Sequence, residues 1–336
     1  EEIKNRRNRG FNMGKKILYS CDTGIDDALA IAYLLAQKEC EVVGITVSYG
    51  MGHIGNVYRN TMAVLKLFGR EDIPVVMGSE TPLSGIPNDY SGGSRFHGCE
   101  GLGGVLGPSS PEDHSGAKPG EATDFILGMI ERYGQELYWV TSGPLTDIAR
   151  VLRKDSATAV KAGAVYVMGG AIASPGNTGT YTEALSEANV RLDIPATAEV
   201  LDSKLPVVLV GLDVTRKTLF SFEDHERWHD IGTKSALFLY EALKHYLGAY
   251  QKFHPYLGGC GLHDPLAAVA AVHPEILTTI PMHMMCFTEG PQAGKTTENV
   301  LRCNDRNYEM EAALFVDVEA FSREFFGKVE ALLREH

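Results

Sequence analysis

The sequence predicts a single large α/β domain, with a mostly parallel, twisted sheet that carries helices on both faces. The chain has 336 residues, of which 44% are hydrophobic, so it can bury one large core. Short apolar, β-branched runs alternate along the chain with segments of helical periodicity. Alternation of this kind is typical of parallel sheets that are covered by helices.

The predicted elements follow from these two patterns. The β-branched runs predict strands at residues 16–19, 42–47, 73–76, 137–141, 164–168 and 207–211. Apolar residues at helical spacing predict helices from residue 26 onwards and at 57–68, 122–133, 196–202 and 235–251. In sheets of this type ligands bind beyond the carboxyl ends of the strands, so functional residues should follow each apolar run.

Three carboxylates lie within six residues where the first strand turns into a helix. Asp22 ends the strand, and Asp26 and Asp27 open the helix. Acidic residues in a first helical turn are often only caps. Capping explains too little here, because Asp26 and Asp27 point about 100° apart and Asp22 faces them across the turn. Clustered anions repel one another unless a cation or protons offset them, and oxygen ligands favour calcium or magnesium.

The composition excludes several classes of partner. A net charge of −12 argues against a nucleic-acid backbone, and no apolar run approaches the roughly 18 residues that would span a membrane. Six scattered cysteines without paired metal-ligand spacing indicate a reducing cytoplasm. Residues 1–12 are predicted to be a remnant or a disordered tail before an original start at Met13, so that the domain covers 13–336.

Two further loops have a structural and a functional interpretation. A glycine-rich loop at 48–56 lacks the Gly-Lys-Ser/Thr ending of a phosphate loop. The long loop 77–118 contains His97, which is either a solvated loop histidine or a residue of a lid.

The segment from Asp22 to Ala28, Asp-Thr-Gly-Ile-Asp-Asp-Ala, resembles the opening motif of the inosine-uridine-preferring nucleoside hydrolases. Five more motifs follow in that family's order and, with the first, cover most of residues 17 to 300: Phe96-His97-Gly98, Thr141-Ser142-Gly143-Pro144-Leu145-Thr146, Glu187-Ala188-Asn189, Gly211-Leu212-Asp213-Val214-Thr215 and His263-Asp264-Pro265-Leu266-Ala267. Ser20, Thr23 and Met51 stand where the family has Asp, Pro and Asn. The Gly211–Thr215 motif is interpreted as a structural strand end.

The resemblance implies a nucleoside hydrolase-like domain with a Rossmann-like core, which hydrolyses the N-glycosidic bond of a ribonucleoside. It implies one Ca²⁺ bound by Asp22, Asp27, Asp264 and the carbonyl of Ser142. Asp22 would also accept the proton of the attacking water, and His263 would serve the leaving base. The residues implied to lie at the sugar are His97, Asp26, Met168, Asn177, Glu187 and Asn189. A homodimer or homotetramer is expected.

Several alternatives remain open at the level of sequence. Asp264 followed by Pro265 is also a common helix cap. Met168 is either a core residue or a contact on the apolar face of a sugar, and its position after a strand favours the contact. The substrate could be a modified nucleoside, or the chain could bind ribonucleosides without turnover. A metal-dependent phosphohydrolase also uses aspartates at a strand end, but none of the motifs contains Lys or Arg.

Overall fold

The computed structural model describes residues 14–108, 118–178 and 185–336. The predicted tail at 1–12 lies outside the described residues. In chain order the strands are β1 (Lys15–Cys21), β2 (Cys40–Val47), β3 (Val75–Met77), β4 (Leu137–Thr141), β5 (Ala164–Met168), β6 (Val207–Val210), β7 (Leu219–Ser221), β8 (Gly259–Gly261), β9 (Leu277–Pro281), β10 (Met284–Cys286), β11 (Thr296–Glu298) and β12 (Glu311–Val316).

The α-helices lie between these strands and at the carboxyl end of the chain. In chain order they are α1 (Ile25–Leu35), α2 (Ile54–Leu67), α3 (Ser91–His97), α4 (Ala122–Tyr133), α5 (Thr146–Ala159), α6 (Ala188–Leu192), α7 (Ile194–Leu201), α8 (Leu212–Thr215), α9 (Phe222–Ile231), α10 (Lys234–Phe253), α11 (His263–Val272) and α12 (Val318–Glu335).

Eight strands form the central sheet in the order β3-β2-β1-β4-β5-β6-β12-β9. All neighbours run parallel except the edge strand β9, which is antiparallel to β12. The predicted mostly parallel sheet is therefore confirmed. Two small antiparallel sheets, β7–β8 and β10–β11, lie outside it.

A separate hydrophobic cluster covers each face of the sheet. Successive side chains of a strand point to opposite faces, so Ile17 and Tyr19 pack in the cluster that contains α1 and α11, while Leu18 packs in the cluster with α4 and α5. Both α1 and α11 are apolar and buried nearly all round, as expected for helices at the centre of a domain. Their first turns therefore place acidic residues in the interior.

The structure corrects three of the predicted elements. The Gly211–Thr215 motif is not a strand end, since Leu212–Thr215 forms the one-turn helix α8. His97 is the last residue of helix α3 and not a residue of an irregular loop. The third strand is Val75–Met77 and begins two residues later than predicted.

Ser20 stands where the resembled family has an aspartate. Its side chain makes two buried hydrogen bonds to residues of neighbouring strands. Its hydroxyl accepts from Trp139 Nε1 at 2.7 Å and pairs with the hydroxyl of Thr46 at 2.6 Å. Trp139 is fully buried on the neighbouring strand β4. A buried indole N–H that loses its acceptor carries a desolvation penalty.

We therefore expect Ser20→Ala to lower the free energy of unfolding by about 1–3 kcal/mol, because the Trp139 N–H is left unpaired. Thr46→Val is the matched control, since it removes the other hydroxyl but keeps the bond between Ser20 and Trp139. Denaturant unfolding of both variants measures the difference. Equal losses for the two variants would contradict the assigned role of Ser20.

Candidate active site

A cavity of about 1020 Å³ opens beyond the carboxyl ends of the central strands. Every residue that the sequence analysis assigned to the site lines this cavity: Asp22, Asp26, Asp27, His97, Ser142, Met168, Asn177, Glu187, Asn189, His263 and Asp264. The fold therefore brings together motifs that span residues 22 to 264. The roles of the individual residues follow from their contacts.

Four buried carboxylates form one wall of the cavity. Asp22, Asp26, Asp27 and Asp264 are each exposed by 6% or less. Asp26, Asp27 and Asp264 present carboxylate oxygens that all lie within 4.8 Å of one another. Their elements explain this proximity, because α1 and α11 pack side by side and begin at the same edge of the sheet.

Asp27 is held by three hydrogen bonds. Its Oδ1 accepts from Tyr19 Oη at 2.8 Å and from Ser142 Oγ at 2.5 Å, and its Oδ2 accepts from the Gly24 amide at 2.9 Å. The last bond caps α1, so the capping interpretation is partly right for Asp27. By contrast, the N-cap of α11 is Leu262 and not Asp264, and no side chain of the described residues caps this helix.

Asp22 is packed against backbone where the β1 carboxyl end meets the loop after β2. Its Oδ2 accepts from the Met51 amide. A Cβ at Gly50 would lie 2.1 Å from that oxygen, so this approach requires glycine. Met51 stands where the family has asparagine, and its side chain lies beside Gly101.

Burial raises the pKa of all four carboxyls, and the charge of a neighbouring carboxylate raises it further for Asp22, Asp27 and Asp264. Burial raises the pKa of Asp26 and of Asp27 to about 6, the latter also through the charge of Asp26. Burial, then the charge of a neighbouring carboxylate, raises the pKa of Asp22 and of Asp264 well above the usual range. No lysine or arginine of the described segments forms an ion pair with any of them.

The carboxylates of Asp26, Asp27 and Asp264 fit a hard divalent cation, and among the described residues Asp22 lies outside this close group. Their donor atoms are all oxygens, they are buried, and they carry more negative charge than their hydrogen-bond donors offset. Ser142 lines the same cavity, and its carbonyl accepts from Asn189 Nδ2 at 2.8 Å, which leaves a second lone pair. These residues could therefore hold calcium or magnesium.

Asn177, Glu187 and Asn189 line the cavity and carry oxygens that can accept hydrogen bonds. Glu187 Oε2 accepts from the amides of Gly170 and Val190, each at 3.1 Å. Their spacing of two would place Glu187 and Asn189 on the same side of an extended segment, but that expectation is wrong, since Glu187 is the N-cap of α6 and Asn189 lies in its first turn. Asn177 Oδ1 is buried and has no hydrogen-bond partner among the described residues.

His263 lies between two hydroxyl groups. Its Nε2 is 2.6 Å from Tyr250 Oη, and its Nδ1 is 2.8 Å from Thr215 Oγ1. Burial, and next the charge of Arg216, lower the pKa of His263 to about 3. The imidazole is therefore neutral at neutral pH and has no ring nitrogen without a partner.

His97 closes the cavity beside Asp26. Its Nδ1 accepts from the Ile25 amide at 3.1 Å, so the ring proton is on Nε2 when the ring is neutral. Burial lowers the pKa of His97 to about 4, and the ring stacks on Tyr246 with 5.2 Å between centroids. Tyr246 donates to Asp26 Oδ2 at 3.2 Å.

Aromatic and basic residues complete the cavity wall. Tyr250 packs with a cluster of rings that contains Phe96, Phe253 and His254. Three cavity-lining arginines were not predicted: Arg95, Arg191 and Arg216. A signal existed for two of them, because Arg95 adjoins the Phe96-His97 motif and Arg216 follows the Gly211–Thr215 motif directly.

Comparison with known proteins identifies the family to which this fold and site correspond. The profile of the inosine-uridine preferring nucleoside hydrolases matches residues 17–323. The pyrimidine-specific ribonucleoside hydrolase RihA of Salmonella typhi is 33% identical over 278 residues, which are 83% of this chain and 86% of that protein. RihA of Klebsiella pneumoniae is 32% identical over 311 residues, which are 92% and 96% of the two chains.

Solved structures show the same relationship. A purine-preferring ribonucleoside hydrolase from Gardnerella vaginalis superimposes with a TM-score of 0.90 at 37% identity, over 96% of this chain and 100% of that chain. The plant nucleoside hydrolase PpNRh1 gives a TM-score of 0.83 at 27% identity, over 95% and 100% of the two chains. The chain therefore belongs to the inosine-uridine preferring nucleoside hydrolase family. It is an enzyme that hydrolyses N-glycosidic bonds.

Proposed function

We propose that this protein is a calcium-dependent hydrolase that cleaves ribonucleosides into ribose and a free base. One observation carries the proposal. Four buried carboxylates face the acceptors of Asn177, Glu187 and Asn189 and the Tyr250–His263 pair within a single cavity. Breaking the bond from C1′ to the base nitrogen leaves positive charge on the ribose ring, which nearby anions stabilise.

In this proposal Ca²⁺ is held by Asp22, Asp27, Asp264 and the Ser142 carbonyl. When bound, the ion would orient the attacking water and make it more acidic. Asp22 would accept the proton of that water at Oδ1, because its Oδ2 already accepts from the Met51 amide. Asp26 has an oxygen close to those of Asp27 and Asp264, and we assign it to a ribose hydroxyl.

The ribose hydroxyls would donate to the acceptors of the opposite wall. The Nδ2 of Asn189 is already used by the carbonyls of Ser142 and Met168, so its Oδ1 is the atom left for a ligand. Glu187 likewise accepts the amides of Gly170 and Val190 through Oε2. A site built to pair hydroxyls rejects a substrate that lacks one, because the buried acceptor is left without a donor.

The leaving base would be served by His263 together with Tyr250. Both ring nitrogens of His263 have partners, so the hydroxyl of Tyr250 is the group through which a proton would reach the base. Neutral His263 would hold and orient the Tyr250 hydroxyl through Nε2, and water would return a proton to Tyr250 after the base has left. His97, with its proton on Nε2, would add a donor near Asp26.

The identity of the base requires a substrate panel. The RihA relatives are named pyrimidine-specific and the Gardnerella enzyme purine-preferring. We therefore propose release of ribose from a panel of purine, pyrimidine and modified ribonucleosides as the primary test. Production of phosphate from nucleotides without release of ribose from any nucleoside would contradict the proposal and favour a phosphohydrolase.

Location and assembly belong to the proposal as well. All six cysteines are free thiols, which suits a reducing cytoplasm. Among the described residues, no helix has both the length and the apolar character needed to cross a membrane. A homodimer or homotetramer is proposed, and light scattering would measure it.

We expect calcium to raise the thermal unfolding midpoint of the protein and exhaustive chelation to abolish turnover, because the ion binds only the folded state. Asp27→Ala should abolish turnover and the calcium-induced shift while the protein stays folded. Asp124→Asn, at an exposed aspartate away from the cavity, is the control and should behave as wild type. Full activity after chelation would reject the metal site.

A 2′-deoxyribonucleoside should react at least about a hundredfold more slowly than its ribonucleoside, which equals roughly 2.7 kcal/mol of lost transition-state stabilisation. Asn189→Ala should lower the ratio of the ribonucleoside rate to the deoxyribonucleoside rate. The variant lacks one of the acceptors that a deoxyribonucleoside would leave without a donor. The ratio of kcat/KM for the two substrates is the measurement. Comparable rates on both substrates with wild type would rule out the proposed pairing.

His263→Ala and Tyr250→Phe should be selective for the leaving group. Both should slow nucleosides severely but a nitrophenyl riboside only mildly, since its departing oxygen needs little protonation. Asp264→Ala should impair both substrates, because it removes activation of the water. Steady-state kinetics on both substrates separates these outcomes. Equal losses of His263→Ala on good and poor leaving groups would remove His263 from the acid role.

A further inference from the structure

The one-turn helix α8 contacts both halves of the cavity. Thr215 holds Nδ1 of His263 on the side of the leaving base. Asp213 and Arg216, on the same turn, bind instead the segment 172–176, which leads to Asn177 on the ribose side. From sequence alone, the Gly211–Thr215 motif has only a structural interpretation.

Two side chains of opposite charge form hydrogen bonds with the backbone of every residue from 172 to 176. The carboxylate of Asp213 accepts the amides of residues 172, 173 and 174, each at 2.8 Å. The guanidinium of Arg216 donates to the carbonyl of Pro175 at 2.8 Å and to that of Gly176 at 2.7 Å. The segment forms neither helix nor strand, so its backbone groups depend on these partners.

Asn177 follows directly and is fixed from the other side by Ser186. Its amide donates to the Ser186 carbonyl at 3.0 Å. A Cβ at Gly176 would lie 2.2 Å from that carbonyl oxygen, so the close approach allows no larger residue. The Oδ1 of Asn177 is buried at the cavity without a partner among the described residues, which marks it as an acceptor for a ligand.

We propose that Asp213 and Arg216 are positioning residues, which hold segment 172–176 so that Asn177 Oδ1 meets a ribose hydroxyl. The inference rests on the proposed function, because it assigns Asn177 to the ribose. Arg216 also lies near the leaving-base side, where its charge contributes after burial to a lower pKa of His263 and of His254. We nevertheless assign Arg216 to the positioning of Asn177, because its two hydrogen bonds are to the residues directly before Asn177.

A double-mutant cycle on ribonucleoside hydrolysis tests the proposal. Arg216→Gln and Asn177→Ala should each lower kcat/KM by at least about tenfold, and the combined variant should lie within about twofold of Asn177→Ala alone. Arg216→Lys, which keeps the charge but loses the two-point fork, should resemble Arg216→Gln. Lys217→Gln removes a neighbouring exposed charge and should stay within about twofold of wild type.

Losses that multiply in the combined variant would overturn the proposal, since they would show that Arg216 acts independently of Asn177. A second readout does not depend on turnover. Asp213→Asn should speed hydrogen exchange of amides 172–174 at least about tenfold, while amides of β1 remain protected. Unchanged exchange would likewise overturn the proposal.

The two proposals can fail separately. If wild type releases ribose from no ribonucleoside, the proposed function is rejected, and the same cycle is then measured on the binding of uridine and inosine by calorimetry. Losses of affinity that do not add in the combined variant would support the positioning role. Additive losses, or no loss for Arg216→Gln, would reject it.

Discussion

The mutual repulsion of four buried carboxylates is the constraint on which the rest of this site depends. Asp22, Asp26, Asp27 and Asp264 are removed from water, and the charges of their neighbours raise the pKa of three of them, Asp22, Asp27 and Asp264. The surrounding structure directs neutral donors at three of them: the amides of Gly24 and Met51 and the hydroxyls of Tyr19, Ser142 and Tyr246. Because none of these donors carries a full charge, the wall remains suited to a cation and to a ribose ring that becomes positive.

The fold meets this constraint through two buried helices. Asp26 and Asp27 lie in the first turn of α1, and Asp264 lies in the first turn of α11. The amino-terminal end of a helix carries partial positive charge, so each helix favours the anions that it presents. Capping and metal binding are therefore compatible here. The apolar residues of α1 and α11 keep the carboxylates away from water. The partial positive charge at the amino-terminal ends of the two helices offsets part of the free-energy cost of that burial.

Much of the fold could be predicted because its central elements have strong local signals. Strands β4 and β5 and helix α4 have the predicted bounds, since each combines clear periodicity with turn residues on both sides. The three-residue strands β7, β8, β10 and β11 were not predicted, because so few residues show no periodicity of their own. Helix α8 was misassigned for the same reason, since one turn after an apolar strand continues its pattern.

The site shows a similar division between local and long-range information. The aspartates, His97 and His263 stand in short motifs, whereas the bond between Tyr246 and Asp26 joins residues 220 positions apart. Such a contact depends on how α10 packs across the cavity, and periodicity along the chain does not contain that information.

On the ribose side, hydrogen bonds within the protein determine which atoms remain free to bind a ligand. Interior amides occupy Oε2 of Glu187, and interior carbonyls occupy Nδ2 of Asn189, so what remains for a ligand is acceptor oxygen. A ribose bound there would have to donate its hydroxyl protons outward. Hydroxyls that donate strongly carry more negative charge on their oxygens, which favours positive charge developing on the adjacent ring. The same atoms that recognise a ribose would thus also stabilise its transition state.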